Sequence, residues 1–165
     1  MSIHLEPWAE DDLPLLQALL GDPAMMEHLG GPEAPEKIVE RHGRYLATPS
    51  ALKIMVDGVA AGWVGFWEHE WQGEPIYEMG WSVLPGFQGR GVASAGTLLA
   101  LEAARASDGP RSVHAFPPPE NGPSNAVCRK CGFTLLGEVA FEFPKGVFGR
   151  SNDWYYDLSA RSRGE

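Results

Sequence analysis

The chain has 165 residues, of which 44% are hydrophobic and 21% are charged, and its formal net charge is −9. This length allows one domain with a substantial core and is too short to predict two, and the composition is that of an ordinary globular protein. An acidic domain repels the phosphate backbone, so the net charge argues against nucleic acid as a partner.

Signals for export or membrane insertion are absent from the sequence. No run approaches the roughly 20 apolar residues that span a bilayer, and residues 1–6 contain neither a basic region nor an apolar run. We therefore expect a cytoplasmic protein with no membrane partner, present as a monomer or a homodimer.

Two cysteines, Cys128 and Cys131, stand in Cys-x-x-Cys spacing. A zinc site needs two further ligands, and His114 is the only close candidate. Cysteines three apart on a helix share one face, where packing is the commoner role. The sequence thus predicts no metal site.

The first third of the chain predicts a strand followed by helices. A short strand over residues 3–5 precedes an acidic helix start at residues 10–12, where carboxylates meet the positive end of the helix dipole. Leucines then recur at helical spacing through residues 13–20. Asp22-Pro23 opens a second short helix that ends before Gly30, and a third helix is predicted over residues 35–45.

The middle of the chain predicts an antiparallel meander. A strand over residues 52–56 is followed by Asp57-Gly58, a strong hairpin signal, and a partner strand over residues 59–67. A third strand is predicted over residues 76–84.

The remaining pattern alternates helices with strands. Helices are predicted over residues 89–105 and 121–132, the second ending at Gly132 in a left-handed cap. Strands are predicted over residues 112–116, 134–143 and 154–158. Together the elements predict one α/β domain over residues 1–165, a three-layer α/β/α arrangement whose mixed, largely antiparallel sheet has about seven strands. The unit over residues 81–116 should cross right-handedly and make its two strands parallel.

The segment from Trp81 to Ser94 is the most informative one. A strand ends at Pro85, and glycines then open a long helix. Glycines let the backbone approach a ligand, and the unsatisfied amides of a helix start point outward as anion donors. Arg90 adds a positive charge, so the segment predicts a diphosphate site.

Two of the known diphosphate-binding loops fit this segment poorly. A P-loop needs Gly-Lys-Ser/Thr, which is absent. Gly89-Arg90-Gly91-Val92-Ala93-Ser94 nearly matches a dinucleotide fingerprint, but that motif belongs to parallel βαβ units whose next strand ends at an acidic residue. Here a meander precedes the loop and residues 113–116 end without an acid, so a dinucleotide-dependent oxidoreductase is disfavoured.

A third interpretation rests on a family resemblance. Val83-x-Pro85 followed by Gln88-x-x-Gly91-x-Ala93 resembles the phosphate loop of the GNAT acyltransferases. About thirty residues later comes a segment similar to that family's second CoA-binding helix, Asn121-x-x-Ser124-Asn125-Ala126-Val127-x-x-Lys130-x-Gly132-Phe133. Residues 24–30 and 153–158 resemble the subgroup related to ribosomal-protein N-terminal acetyltransferases. The similarity covers nearly the whole chain.

This resemblance implies a GNAT-like fold and an acetyl-CoA-dependent N-acetyltransferase without a metal. Acetyl-CoA would be the co-substrate, and the acetyl group would pass directly to a primary amine, either a small molecule or a peptide N-terminus. The alternative is a non-catalytic CoA-binding or sensing domain of the same fold.

The resemblance also implies the cofactor-binding residues. Backbone amides of the loop would bind the CoA diphosphate, from Gln88 and Gly89 through Arg90, Gly91, Val92 and Ala93 to Ser94. Backbone groups of Ser82, Val83 and Leu84 would hold pantetheine and polarise the thioester carbonyl. Asn121, Asn125 and Cys128 would contact the pantetheine arm, and Asn121 is also a good helix N-cap.

The catalytic residues follow in the same way. Many family members carry a tyrosine on the second helix that protonates the leaving thiolate, but Cys128 occupies that position here. We expect Ser124 to be the acid, since the resembling subgroup often has serine there, and rank the Cys128 thiol, with an ordinary pKa of about 8.5, behind it.

A base is needed because an amine near neutral pH is mostly an ammonium ion. Glu78 matches the glutamate that many relatives carry on the same strand. Strand alternation places it beside Ile76, away from Tyr77 and Met79, where partial desolvation would raise its pKa. Fallback bases are Glu68, His69 and Glu70.

The chain has six tryptophans, which is many for its length. Four of them concentrate on the strands and turn that would line the acceptor side, namely Trp63, Trp67, Trp71 and Trp81. An aromatic acceptor pocket and ordinary core packing both remain open.

Overall fold

A computed structural model describes residues 1–143 and 145–159. This part of the chain contains seven strands and four α-helices. The strands are β1 Ile3–Pro7, β2 Ala51–Val56, β3 Val59–Trp71, β4 Glu74–Val83, β5 Ser112–Ala115, β6 Thr134–Glu142 and β7 Phe148–Asp157. The helices are α1 Leu13–Leu20, α2 Pro35–Leu46, α3 Val92–Ala106 and α4 Gly122–Lys130, and 3₁₀ turns at Glu10–Asp12 and Pro85–Phe87 come before α1 and α3.

All seven strands form one sheet in the order β1-β2-β3-β4-β5-β7-β6. Neighbouring strands are antiparallel except β4 and β5, which are parallel and joined through α3. The predicted mixed, largely antiparallel sheet and its one parallel pair are confirmed.

Helices cover both faces of the sheet. One core contains side chains of α3 and α4 against the sheet, among them Leu101, Cys128, Val64 and Met79. A second, smaller core joins α1 and α2 and includes Leu16, Leu19 and Ile38, with Trp63 of β3 packed against it. The predicted three-layer arrangement therefore forms, and the smaller helical layer covers the sheet face to which Trp63 belongs.

Two tight turns set the length of the meander. Asp57 and Gly58 have φ of 49° and 82°, as a primed hairpin turn requires, and β2 pairs with β3 as predicted. Gln72 and Gly73 repeat the geometry with φ of 51° and 82°. This second turn was not predicted, and it extends β3 to Trp71, four residues beyond the predicted end.

The helix predicted over residues 23–29 does not form. Met26 N donates to Asp22 O, four residues back, at 3.2 Å, but Leu29 N donates to Met26 O, only three residues back. The consecutive hydrogen bonds from residue i to residue i−4 that define an α-helix are therefore missing. Gly30 and Gly31 follow with φ of 91° and 86°, which a right-handed helix excludes. The segment is a series of turns.

Two other boundaries also differ from the prediction. Helix α3 begins at Val92 and not at Gly89 as predicted. Gly89 and Gly91 have φ of 74° and 77°, which a right-handed helix excludes. Strand β7 begins at Phe148 rather than Trp154, because it pairs along β6 as far as Glu142. No helix within residues 1–143 and 145–159 is long and apolar enough to cross a membrane.

Candidate active site

The loop between β4 and α3 is built to present backbone amides. The first intrahelical bond of α3 joins Ala95 N to Gly91 O at 3.0 Å, and in the described residues the amides of residues 89–94 donate to no acceptor. Gly89 and Gly91 hold left-handed conformations, and a Cβ on either would meet no atom within 4 Å. Free amides at a helix start, with open space beside the two glycines, fit a diphosphate.

Arg90 adds a guanidinium to this loop. Its carbon Cζ lies 5.4 Å from the Phe87 ring centroid, and Nη1 donates weakly to Gly86 O at 3.4 Å. The side chain is exposed. A flexible positive charge beside the free amides is therefore available to an anionic ligand.

Gln88 fastens the loop to the end of β4. Its Nε2 donates to Val83 O at 2.9 Å and also contacts Met25 Sδ at 3.4 Å. The side chain of Gln88 thus has a structural role. Its backbone N donates to Pro85 O at 3.2 Å, so the free amides begin at Gly89 and not at Gln88 as predicted.

Strands β4 and β5 separate near the same place. They pair only at Tyr77–Val113 and Glu78–His114, although β4 continues to Val83. Beyond Glu78 the edge of β4 that faces β5 is therefore open.

The ladder pattern identifies the backbone groups on this open edge. Hydrogen-bonded and non-hydrogen-bonded pairs alternate in an antiparallel ladder. Because Leu84 N donates to Ala61 O at 2.8 Å, Ser82 is hydrogen-bonded to β3, whereas Trp81 and Val83 direct their backbone groups toward β5. Since Gln88 takes the Val83 carbonyl, the groups available on this edge are Val83 N and the backbone groups of Trp81. This corrects the expectation that backbone groups of Ser82 and Leu84 hold pantetheine: Ser82 pairs with β3, and Leu84 donates to Ala61 O and accepts from Phe87 N.

A cavity of about 630 Å³ opens beside this edge, on the sheet face covered by α1 and α2. Its walls come from α2, strands β3 and β4, the start of α4, and the β6–β7 hairpin. Ser82, Asn121 and Ser124 line it, whereas residues 88–94 lie outside its wall. The diphosphate loop and the cavity are thus separate regions joined by the open edge of β4.

Glu78 lies at the junction of the cavity and the open edge. It is partly buried, lines the cavity and is the last residue of β4 that pairs with β5. Burial raises the pKa of its carboxyl from 4.5 to about 7. A carboxyl with this pKa can accept a proton near neutral pH. Glu68, His69 and Glu70 do not belong to the cavity wall.

Helix α4 carries the polar residues of the second motif. Asn121 is its N-cap, and Oδ1 accepts from Ser124 N at 3.2 Å. Both residues also line the cavity. Asn121 therefore combines capping with access to a ligand, and Ser124 presents a hydroxyl group at the start of the helix.

Asn125 has a different role from the one that the motif implies. Its Nδ2 donates to Pro118 O at 2.9 Å and Asn121 O at 2.7 Å, and Oδ1 accepts from Asn152 Nδ2 and Trp154 Nε1, both at 2.8 Å. An amide side chain has two donor protons and two acceptor lone pairs, so all four are used. Asn125 locks α4 to β7 and has no capacity left for pantetheine.

Cys128 lies in the core rather than at the cavity. Its side chain is 0% exposed, and burial raises its thiol pKa far above the ordinary range. Cys131 is buried as well, with its pKa raised to about 11, and Sγ contacts Ser94 O. A buried neutral thiol cannot reach a leaving thiolate, so we leave Cys128 out of the proposed site. Among the described residues no cluster of three His, Cys, Asp or Glu side chains could hold a metal.

His114 neighbours Glu78 in the parallel ladder. Its Nδ1 lies 2.5 Å from Asp153 Oδ1, and Asp153 Oδ2 accepts from Trp71 Nε1 at 3.2 Å. This buried network holds Trp71 outside the cavity, whereas Trp63, Trp67 and Trp81 are among its lining residues. The sequence identified these three strand positions. It missed Tyr45 of α2, whose helical periodicity gives no sign that α2 forms a cavity wall.

Comparisons with known proteins agree with this architecture. The sequence model of the acetyltransferase (GNAT) domain matches residues 2–134. A search of curated proteins finds no match.

Solved structures share the fold over almost the whole chain. A GNAT-family acetyltransferase from Bacillus anthracis has a TM-score of 0.81 at 20% identity, covering 97% of both chains. The aminoglycoside acetyltransferase AAC(6')-Ib in complex with coenzyme A and kanamycin gives 0.76 at 17%, over 94% of this chain and 95% of that one. YncA, a putative acetyltransferase from Salmonella typhimurium with acetyl-CoA, gives 0.75 at 16%, over 100% and 99%.

At these identities the structural similarity establishes the fold alone. The match to the family's sequence model is independent evidence from the sequence. The matched residues include β4, the amide-presenting loop, α3 and the whole of α4. The chain therefore belongs to the acetyltransferase (GNAT) domain family.

Proposed function

We propose that this chain moves the acetyl group of acetyl-CoA directly to a primary amine while both substrates are bound. The observation that carries the proposal is the position of Glu78. Its carboxyl, with a pKa of about 7, faces the cavity where β4 parts from β5. A thioester that reaches the cavity along the open edge of β4 would meet an amine there.

The proposed cofactor site follows the fit of the loop to a diphosphate. The free amides of residues 89–94 and the Arg90 guanidinium bind the diphosphate, and Trp81 offers backbone groups to pantetheine. Asn121 contacts the same arm from α4. Bound there, acetyl-CoA supplies an activated thioester with a thiol leaving group.

Proton handling falls to two side chains. Glu78, ionised, takes one proton from the substrate ammonium ion, directly or through a water, and frees the nitrogen lone pair. The amine nitrogen then forms the new C–N bond while the C–S bond breaks. Ser124 passes a second proton from the amine to the departing sulfur. Proximity of the two bound substrates supplies much of the rate.

Initial-rate kinetics with both substrates test direct transfer. Simultaneous binding predicts intersecting double-reciprocal lines, and parallel lines would contradict it.

Glu78→Gln should lower kcat about 100-fold with an unchanged Kd for acetyl-CoA, because one base typically contributes a factor of this size. Glu70→Gln, an exposed change on β3, is the matched control. If the chain binds acetyl-CoA but releases no CoA with any amine tested, the alternative of a non-catalytic CoA-binding or sensing domain would be favoured.

The proposal extends to the acceptor class, the subgroup and the location of the reaction. AAC(6')-Ib is seen with kanamycin, which favours a small-molecule amine as acceptor, and a peptide N-terminus is the other candidate. Relation to the ribosomal-protein subgroup rests on residues 24–30 and 153–158 alone. We place the reaction in the cytoplasm, with a single domain acting as a monomer or a homodimer.

A further inference from the structure

We propose that the acceptor is a monoamine whose amino group is attached to a flat, apolar body, rather than a polycation. This inference rests on the proposed function and specifies its acceptor. It comes from the aromatic walls of the cavity and from the balance of charges between them.

One wall is a continuous row of rings. Tyr45 stacks on Trp63 with centroids 5.0 Å apart and an interplanar angle of 8°, and Trp63 stacks on Trp67 at 6.3 Å and 26°. In the antiparallel ladder Trp67 is the direct partner of Glu78, so both side chains lie on the same sheet face. The row thus ends beside the base. Trp67 is 38% exposed, which leaves part of its ring available to a ligand.

A second group of rings faces the cavity from the other side of Glu78. Phe116, which follows β5, stacks on Phe141 of β6 with centroids 4.4 Å apart and an angle of 19°, and both line the cavity. Cavity walls made of aromatic rings favour flat apolar ligands, through buried area and ring stacking. The volume of about 630 Å³ is in the range of small-molecule sites.

The charges in the cavity do not favour a polycation. Its described lining includes three carboxylates and three guanidinium groups, on Glu33, Glu78, Glu120, Arg41, Arg44 and Arg150. Arg41 holds Glu33 through two hydrogen bonds, of 3.1 and 2.8 Å, and Glu78 is only partly ionised at neutral pH. Little carboxylate charge remains for a ligand with several ammonium groups, which would also face Arg44. Arg150 is paired with Glu138, its Nε 3.6 Å from Oε2. The charged groups that line the cavity are therefore close to balanced, although the formal net charge of the chain is −9.

The test compares kcat/KM for three amines, 2-phenylethylamine, ethylamine and spermidine. We expect the aromatic monoamine to exceed the other two by about tenfold or more, because burying one ring gives a factor of this size. Equal or higher kcat/KM for spermidine would overturn the inference while leaving acetyl transfer intact. Absence of CoA release with every amine, despite measured acetyl-CoA binding, would instead overturn the proposed function.

Variants of residues that line the cavity test whether the preference for an aromatic amine arises there. Trp67→Ala should lower kcat/KM for 2-phenylethylamine about tenfold more than it lowers kcat/KM for ethylamine, and Trp67→Phe should restore most of this difference. Leu98→Ala, which removes an exposed apolar side chain from α3, is the control. Arg44→Glu should raise the ratio of kcat/KM for spermidine to kcat/KM for 2-phenylethylamine. An equal loss for all three amines in Trp67→Ala would contradict the inference.

Discussion

The side-chain amide of Gln88 donates a 2.9 Å hydrogen bond to the backbone carbonyl of Val83. This bond fixes the diphosphate loop to the end of β4, the strand that carries Glu78. In the proposed complex this bond would help to position the two ends of acetyl-CoA relative to each other.

Removing that bond should weaken cofactor binding. Gln88→Ala is expected to raise the Kd for acetyl-CoA about three- to tenfold, the effect of one net hydrogen bond, as measured by titration calorimetry. Gln17→Ala, an exposed change on α1, should leave the Kd unaltered. An unchanged Kd in Gln88→Ala would show that the loop holds its position without this bond.

Gly91 is the most sensitive position of the loop. Its φ of 77° disfavours any side chain, and Gly91→Glu also places negative charge before the free amides. We expect acetyl-CoA binding to weaken about 100-fold or more, since repulsion adds to strain. Gly43→Glu, on the exposed surface of α2, adds the same charge elsewhere and should bind normally. Wild-type affinity in Gly91→Glu would remove the basis for the loop assignment.

The rate should depend on pH through Glu78. A general base must be ionised to act. We therefore expect kcat/KM to rise with pH through an apparent pKa of about 7. Deprotonation of the amine itself should give a second rise at higher pH, the amine limb of the profile. Glu78→Gln should lose the lower limb and keep the amine limb. A wild-type profile that shows only the amine limb would argue against Glu78 as the base.

The same carboxyl should affect stability with the opposite sign. Its pKa is about 7 in the folded state and 4.5 ordinarily, so the folded state binds more protons between these values and the free energy of unfolding falls as pH rises through them. Glu78→Gln should therefore be more stable than wild type at pH 8, by at most about 3 kcal/mol. Near pH 4 the two should be nearly equal. Urea unfolding at both values measures this, and a pH-independent difference would contradict the burial of an ionisable group.

Asn125 should contribute to stability more than to cofactor binding. Asn125→Ala removes four hydrogen bonds and leaves buried partners unpaired, with an expected loss of about 2 to 4 kcal/mol. Asn121→Ala removes an N-cap and should lose about 1 kcal/mol. Denaturant unfolding compares them. A smaller loss in Asn125→Ala than in Asn121→Ala would show that the lock between α4 and β7 is weak.

Local signals in the sequence predicted the framework of the site. Asp57-Gly58 needs two positive φ values and predicts its hairpin, and glycines after a strand predict a loop with free amides. The alternation of β4 placed Glu78 on the partly buried face, as the structure has it. Each of these depends on a few neighbouring residues.

Features that depend on distant partners could not be predicted in the same way. Asn125 meets Asn152 and Trp154 only because β7 pairs with β6 in one register, which its own helix does not encode. Tyr45 forms a cavity wall only because its ring stacks on Trp63 of the distant strand β3. The segment over residues 23–29 has helical composition but ends in two positive-φ glycines, so local propensity gave the wrong element.

The most direct test of the central claim is mass spectrometry of the amine together with the thiol released from acetyl-CoA, in one reaction with 2-phenylethylamine. The account predicts one acetylated amine for each CoA released, at a rate that falls about 100-fold in Glu78→Gln while acetyl-CoA binding is retained. CoA release that does not depend on the amine, or an acetylated product formed equally fast by Glu78→Gln, would contradict it.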